Sequence, residues 1–233
     1  MNEHSPAEKD QGTLADRVES MRSGIADAAR AASRDPASIT TIVVTKFHPA
    51  SLVRELAELG VRDFGENRHQ DAAAKAADLA DLALNWHFVG QLQSKKAKQV
   101  RAYASAIHSL DRDSVIDALA SSEGSVDVFV QLNLTADPGR GGVRPEMLEP
   151  AVERVLATSG LRLLGVMAVA PLAASARAAF ELVRQCSDRV RLLAPDARFI
   201  SAGMSADYRE AILEGATHLR IGSAITGKRP AAG

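Results

Sequence analysis

The chain has 233 residues, of which 46% are hydrophobic and 24% charged, a composition typical of a globular protein with one large domain or two small ones. The formal net charge of -1 gives no reason to expect nucleic acid or an anionic membrane surface as a partner, since binding to either normally requires a basic field. The single cysteine, Cys186, excludes an internal disulfide, and the sequence shows neither a membrane-length apolar run nor a leader-like start, so we predict a cytoplasmic protein.

The first part of the chain predicts a tail, a helix and a strand that ends in a lysine. Residues 1–12 are polar and aperiodic, and we predict a disordered tail. Residues 14–32 have apolar side chains at helical spacing, and residues 41–46 are a run of β-branched and apolar residues that predicts a buried strand ending at Lys46. A buried amine is costly, and desolvation favours its neutral, nucleophilic form. This stretch alone leaves two interpretations open, a Schiff-base lysine or an amine that reaches out to solvent.

From this strand onward, strands and helices alternate. Further strands are predicted at residues 61–65, 86–89, 106–109, 126–132, 161–167, 199–201 and 217–221. The helical patterns between them cover residues 49–59, 66–82, 94–102, 113–121, 145–158, 173–193 and 206–214. Eight such units predict an α/β protein with a single (β/α)8 TIM barrel over residues 13–228, an extra N-terminal helix and a short tail at 229–233. An open nucleotide-binding sheet is the alternative, but no Gly-x-Gly-x-x-Gly turn follows the first strand.

Polar residues gather where the predicted strands end, which in a parallel barrel is the rim that carries the reactive groups. The residues at these positions are Lys46, Asn67, His87, Gln91, His108, Asn133, Met167, Ser201, Ser205, Arg220, Gly222 and Ser223. Histidines at such positions are either acid/base groups or hydrogen-bonded structural groups. His87 and His108 with Glu66 lack the short spacing of metal ligands, so we predict no metal site.

Two strand ends have the character of a phosphate site. Residues 201–205 and 220–223 combine glycine and serine directly before a helix, where backbone N–H groups and the helix dipole hold a phosphate. Barrels repeatedly place this site after strands seven and eight, although serine is also an ordinary helix cap. With Lys46 on the first strand, the two segments predict a site for a phosphorylated aldehyde held as an imine.

The residues also carry a family resemblance that runs over about residues 14–227. The motifs are Val44-Thr45-Lys46, Phe64-Gly65-Glu66-Asn67, Trp86-His87-Phe88-Val89-Gly90 with Leu92-Gln93, Ile107-His108-Ser109, Gly203-Met204-Ser205-Ala206-Asp207 and Arg220-Ile221-Gly222-Ser223. In this order they resemble the motifs of the pyridoxal phosphate homeostasis protein family, the single-domain relative of the alanine racemase fold. The sequence departs from the family pattern at Lys95, Ala202 and Thr226, where asparagine, methionine and phenylalanine are frequent.

The resemblance implies both a fold and a cofactor. It implies the barrel of fold type III pyridoxal phosphate (PLP) proteins without the C-terminal β-domain, with Lys46 holding pyridoxal 5'-phosphate as an internal aldimine. By the same resemblance, Ser201, Gly222 and Ser223 bind the phosphate, together with Ser205 of the same segment. Asn67 then lies near the ring, and Arg220 faces the pyridine nitrogen.

An arginine beside the ring nitrogen has a chemical consequence. Because a guanidinium stays protonated, it disfavours ring protonation and leaves the cofactor a weak electron sink. A racemase can work with such a ring but needs a second acid/base, which in the two-domain racemases comes with the C-terminal β-domain, and the residues after the eighth unit leave no room for that domain. His87, Tyr103 and His108 are the other candidates for such a group.

Three functions follow in order of preference. The first is a carrier, without catalytic turnover, that buffers pyridoxal 5'-phosphate and delivers it to apo PLP-dependent enzymes, and it is expected to be a monomer. The alternative is a PLP-dependent amino-acid racemase of the alanine racemase type. A cofactor-free Schiff-base aldolase that uses Lys46 ranks last, because the phosphate segments and Arg220 suit a pyridine aldehyde better.

Overall fold

The computed structural model describes residues 12–137, 139–172 and 175–227. The tail predicted at residues 229–233 lies outside the described residues, and so does the tail predicted at 1–12 except for Gly12.

Eight parallel strands close into one barrel in sequence order, and the first strand pairs with the last. The strands are β1 (Thr40–Val44), β2 (Asp63–Glu66), β3 (Asn85–Phe88), β4 (Ala106–Leu110), β5 (Val126–Gln131), β6 (Leu161–Met167), β7 (Phe199–Ser201) and β8 (His218–Ile221). This topology confirms the predicted single (β/α)8 barrel, because the pairing of β1 with β8 closes the sheet on itself.

Helices cover the outside of the barrel. They are α1 (Leu14–Ala31), α2 (Ala50–Glu58), α3 (His69–Asp78), α4 (Ala97–Arg101), α5 (Asp113–Leu119), α6 (Leu148–Leu156), α7 (Ala176–Leu193), α8 (Tyr208–Leu213) and α9 (Ser223–Thr226). The extra N-terminal helix α1 begins at a capping box, in which Thr13 and Asp16 satisfy each other's backbone N–H groups. Within the described ranges, every helix is too short or too polar to cross a lipid bilayer.

The strands separate two buried regions of different character. Side chains that face the helices, such as Val43, Phe64 and Val128, join one large apolar cluster. Their neighbours along the strands point into the barrel by the alternation of strand side chains. There, Phe129 stacks on the His108 ring at 4.5 Å between ring centroids, and Ser201 and Arg220 are also buried. The barrel interior is therefore partly polar, whereas barrels are usually filled with branched apolar residues.

The first strand is shorter than predicted. It ends at Val44, so Lys46 lies in the following turn and is exposed. The next residue, Phe47, has φ 69°, a left-handed conformation that ends the extended run. The predicted end of the strand at Lys46 was wrong, and because Lys46 is exposed, the desolvation argument does not apply to it.

Candidate functional site

A cavity of about 510 Å³ opens at the C-terminal ends of the strands. Its size is that of a small-molecule site. Six of the seven predicted cofactor-binding residues line it: Lys46, Asn67, Ser205, Arg220, Gly222 and Ser223. Val44, Val89, Gly90, Val169, Met204 and Ala206 complete the wall. The barrel thus brings together residues that lie in or directly after β1, β2 and β8 and are far apart in sequence.

The turn that carries Lys46 is held from below by a buried ion pair. The carbonyl oxygen of Thr45 accepts hydrogen bonds from His48 N at 3.0 Å and from Lys75 Nζ at 2.9 Å. Lys75 Nζ also lies 2.5 Å from Glu66 Oε1, which accepts a 2.8 Å bond from Thr45 Oγ1. Glu66 and Lys75 are both buried, so the charged pair fixes the backbone directly before Lys46.

Sequence reasoning missed Lys75, the buried lysine of this site. Its position in α3, inside an alanine-rich helix, gives it the appearance of an ordinary surface lysine. The available signal was Glu66, an acidic residue directly after Phe64 and Gly65 at the end of β2, which needs a partner if it is buried.

The wall between β2 and β3 brings an unsatisfied amide to the cavity. Asn67 Oδ1 is buried and has no hydrogen-bond partner among the described residues. The backbone of Gly90 packs so closely that a Cβ at this position would lie 2.2 Å from the carbonyl oxygen of Asn67. Only glycine fits at position 90. The amide oxygen of Asn67 is available to accept a hydrogen bond from a ligand or from water.

Arg220 supplies the fixed positive charge of the cavity. The residue is 6% exposed, and its guanidinium donates to Ser201 Oγ at 2.7 Å and to the carbonyl oxygen of Ala168 at 2.8 Å. Burial lowers the pKa of Arg220 to about 10, against the opposing charge of Asp207, and the side chain remains protonated at neutral pH.

The opposite wall carries the hydroxyl and glycine residues predicted for a phosphate. Ser205 follows β7, and Gly222 with Ser223 begins α9. Ser205 Oγ accepts a 3.3 Å hydrogen bond from Ala224 N, which ties the two segments together. An amine, a guanidinium and a hydroxyl-rich wall around one cavity can bind a small phosphorylated carbonyl compound.

Ser201 lies apart from this wall. It is fully buried at the end of β7 and is not among the residues that line the cavity. Its hydroxyl is bonded to Arg220 and to His108, the latter at 2.8 Å. The two histidines predicted at strand ends are also inside the barrel, His108 fully buried and His87 7% exposed. These three residues support the cavity from below.

The glycine-rich segment after β5 is held by side-chain hydrogen bonds where it is described. Asn133 Nδ2 donates to the carbonyl oxygens of Asp137 and Arg140, and Gln131 Nε2 donates to that of Gly141. Among the described residues, no three His, Cys, Asp or Glu side chains come together as metal ligands.

Comparisons with known proteins agree with this geometry. The family model for the alanine racemase N-terminal domain matches residues 20–230. A pyridoxal phosphate homeostasis protein of Pseudomonas aeruginosa is 39% identical, over 93% of this chain and 96% of that protein. The protein of the same name from Escherichia coli K12 is 31% identical over 93% of this chain and 97% of its own length.

Solved structures of PipY and of an alanine racemase have the same barrel fold. PipY of Synechococcus elongatus, determined with PLP bound, superposes with a TM-score of 0.81 at 34% identity, over 92% of this chain and all of PipY. Alanine racemase of Corynebacterium glutamicum shares the fold, with a TM-score of 0.71 at 14% identity, over 94% of this chain and 62% of the racemase.

Proposed function

The chain belongs to the pyridoxal phosphate homeostasis protein family, and from that premise we propose that it binds pyridoxal 5'-phosphate covalently through Lys46 and takes part in the homeostasis of this cofactor. The observation that carries the proposal is the cavity, in which one accessible primary amine faces a guanidinium and a wall of serine and glycine residues. PipY, which was solved with PLP bound, supports it.

The residues of the cavity fit the cofactor. The Asn67 amide oxygen lacks a partner among the described residues and can accept a bond from a bound ligand or its water. Ser205, Gly222 and Ser223 offer hydroxyl and backbone donors suited to the phosphate, and Arg220 would supply a positive charge to the ring nitrogen. When bound, the cofactor supplies an aldehyde carbon for the lysine amine and a conjugated ring that withdraws electrons.

The chain's own residues hold the cofactor in distinct ways. Lys46 anchors it, and the Glu66–Lys75 pair keeps the anchoring turn in place through Thr45. In this assignment Ser201 supports Arg220, because its hydroxyl is already committed inside the barrel. The fixed charge of Arg220 disfavours protonation of the ring nitrogen, which suits storage and delivery better than stabilising a carbanion.

We therefore propose a monomeric cytoplasmic carrier that hands the cofactor to apo enzymes and has no amino-acid turnover of its own. To test turnover, the loaded protein is incubated with each L-amino acid while chirality and 2-oxo-acid release are followed. We expect both signals to stay at the level of free cofactor. Turnover of about one per second or faster would contradict the carrier and favour a racemase or transaminase.

Attachment through Lys46 has a direct test. Wild type is mixed with pyridoxal 5'-phosphate, reduced with borohydride and digested, and the masses of the peptides are measured. We expect the label on Lys46, and none after Lys46→Ala. Lys98→Ala is the matched control, because Lys98 is exposed on α4 and does not line the cavity. A label that survives Lys46→Ala would overturn the assignment.

A further inference from the structure

A continuous row of hydrogen bonds runs from the cavity through the barrel interior to the opposite rim. Arg220 donates to Ser201 Oγ, which lies 2.8 Å from His108 Nδ1. His108 Nε2 lies 2.9 Å from His87 Nδ1, and His87 Nε2 lies 3.0 Å from Asp63 Oδ1. Asp63 is the first residue of β2, so the row ends at the N-terminal rim, where its side chain is 26% exposed.

The row crosses the barrel and does not follow a strand. His87 and His108 sit on the neighbouring strands β3 and β4, but Ser201 is on β7, three strands further around. Contact between β4 and β7 is possible only through the interior, which Phe129 and His218 share with the row.

Both ends of the row fix its direction. Arg220 can only donate, and the ionised carboxylate of Asp63 can only accept. His87 must therefore carry a proton on Nε2. If both rings are neutral, His87 Nδ1 accepts from His108 Nε2–H, and His108 Nδ1 accepts the hydroxyl proton of Ser201. The free lone pairs of that hydroxyl then receive the N–H of Arg220, so that every donor has an acceptor.

The surroundings keep His108 neutral. Burial is the main reason that the pKa of His108 lies well below its usual value, and the positive charge of Arg220 acts in the same direction. At the far end, burial raises the pKa of Asp63, but the hydrogen bonds from His87 and Asn85 outweigh it and the net pKa lies below the usual value.

We propose that Ser201, His108, His87 and Asp63 position the Arg220 guanidinium at the cavity through this row of hydrogen bonds. In the row each residue donates to the next, from Arg220 to Asp63, and both histidines are protonated on Nε2 alone. The effect of this row on cofactor affinity rests on the proposed function, whereas the histidine tautomers can be observed in the unliganded protein. Ser201 and His108 are positioning residues, since they act on the ligand through Arg220.

The tautomers are tested first, in the unliganded protein. Long-range 15N–1H spectra distinguish a protonated ring nitrogen from an unprotonated one. At about pH 8, above the ordinary pKa of a free histidine, we expect His87 and His108 to show Nε2–H with Nδ1 as acceptor, and we expect His108 not to titrate between about pH 6 and pH 8. A His108 ring protonated on Nδ1 would overturn the proposal, whether or not the cofactor binds.

The positioning role is tested with two variants of Ser201. Ser201→Thr keeps the hydroxyl, whereas Ser201→Ala leaves His108 Nδ1 and one Arg220 N–H without their partner. We expect the dissociation constant for pyridoxal 5'-phosphate to rise about tenfold in Ser201→Ala and to change less than about threefold in Ser201→Thr. Wild-type affinity in a folded Ser201→Ala protein would overturn the role. If neither the wild type nor the variants bind the cofactor but the expected tautomers are found, the proposed function is wrong and the hydrogen-bonded row is still supported.

The far end of the row gives an independent test in the unliganded protein. Asp63→Ala removes the acceptor that locks His87, and we expect the 15N shifts of His108 to move towards those of a mixture of tautomers. Asp127→Ala is the matched control, because Asp127 is a carboxylate near the same rim that pairs with Arg162. Unchanged His108 shifts in Asp63→Ala, or an equal response in Asp127→Ala, would contradict transmission along the row.

Discussion

The charged groups below the cavity depend on one another at the level of single residues. Lys75 and Glu66 are buried together, and their shared partner is the residue before Lys46. A buried pair is a poor source of net stability, but removing one partner leaves a buried charge without compensation. The pair therefore constrains which substitutions the site tolerates.

Substitution of Lys75 tests this dependence. We expect Lys75→Met to lower the free energy of unfolding by roughly 3 to 5 kcal/mol, because Glu66 is left alone in the interior. The double variant Glu66→Leu/Lys75→Met removes both charges and is expected to recover most of the loss. Urea denaturation of the three proteins measures the difference, and equal stability of the single and double variants would contradict the account.

Arg220 offers a second test at this scale, through the ring of the bound cofactor. Arg220→Gln removes the positive charge and keeps hydrogen-bonding groups. We expect the absorption band of the loaded protein to titrate at higher pH, because the ring nitrogen then accepts a proton more easily. Arg198→Gln, at an exposed position outside the cavity, is the control. An unchanged titration in Arg220→Gln would argue that Arg220 does not face the ring nitrogen.

At the scale of elements, the cavity depends on how closely the segments after β2 and β3 approach each other. A Cβ on Gly90 would lie 2.2 Å from the carbonyl oxygen of Asn67 and 2.6 Å from its Cα, and both are backbone atoms that cannot rotate away. We expect Gly90→Ala to push the two segments apart, with a loss of stability of roughly 1 to 3 kcal/mol and weaker cofactor binding.

The matched control for Gly90 is Gly124→Ala. Gly124 has φ 64°, but a methyl group at this position would meet no atom of the described residues within 4 Å, so its substitution adds backbone strain without a clash. We expect a loss of about 1 kcal/mol and unchanged cofactor binding in this variant. Thermal unfolding and a cofactor titration compare the two proteins, and identical binding by both would show that the close approach is not needed.

Element types were predictable from the sequence, but contacts across elements were not. The strands β6 and β7 have their predicted bounds because clear turn and helix patterns flank them. Lys46, Arg220 and the serine and glycine residues could be placed at one rim because parallel strands end there together. The Glu66–Lys75 pair and the link from His108 to Ser201 could not be predicted, since the partners come from different elements and share no spacing rule.

At the scale of the whole molecule, a histidine of the barrel interior makes stability depend on pH. Burial lowers the pKa of His218 to about 4, compared with 6.5 for a free histidine. As the pH falls below 6.5, His218 becomes protonated in the unfolded chain, whereas in the folded chain it stays neutral down to about pH 4. The contribution of His218 to the free energy of unfolding is therefore fully present above pH 6.5. It is lost as the pH falls from 6.5 to about 4, by roughly 3 kcal/mol in total.

Replacing this histidine tests the acid sensitivity. We expect His218→Phe to lessen the loss of unfolding free energy between about pH 7 and pH 4.5, because phenylalanine carries no proton and suits the neighbouring rings of Phe129 and Phe199. Denaturation curves at both pH values give the loss for each protein. A loss in His218→Phe equal to that of wild type would contradict the prediction.

The polar interior of the barrel also bears on how this protein can change over generations. Apolar cores accept many single replacements of similar volume, one position at a time. In the row from Arg220 to Asp63, almost any single replacement strands a buried donor or acceptor, at about 1 to 3 kcal/mol, which is a large part of a typical domain's stability. A change of the barrel interior therefore requires paired replacements. We expect these positions to vary together among related sequences, while residues of the outer helices vary independently.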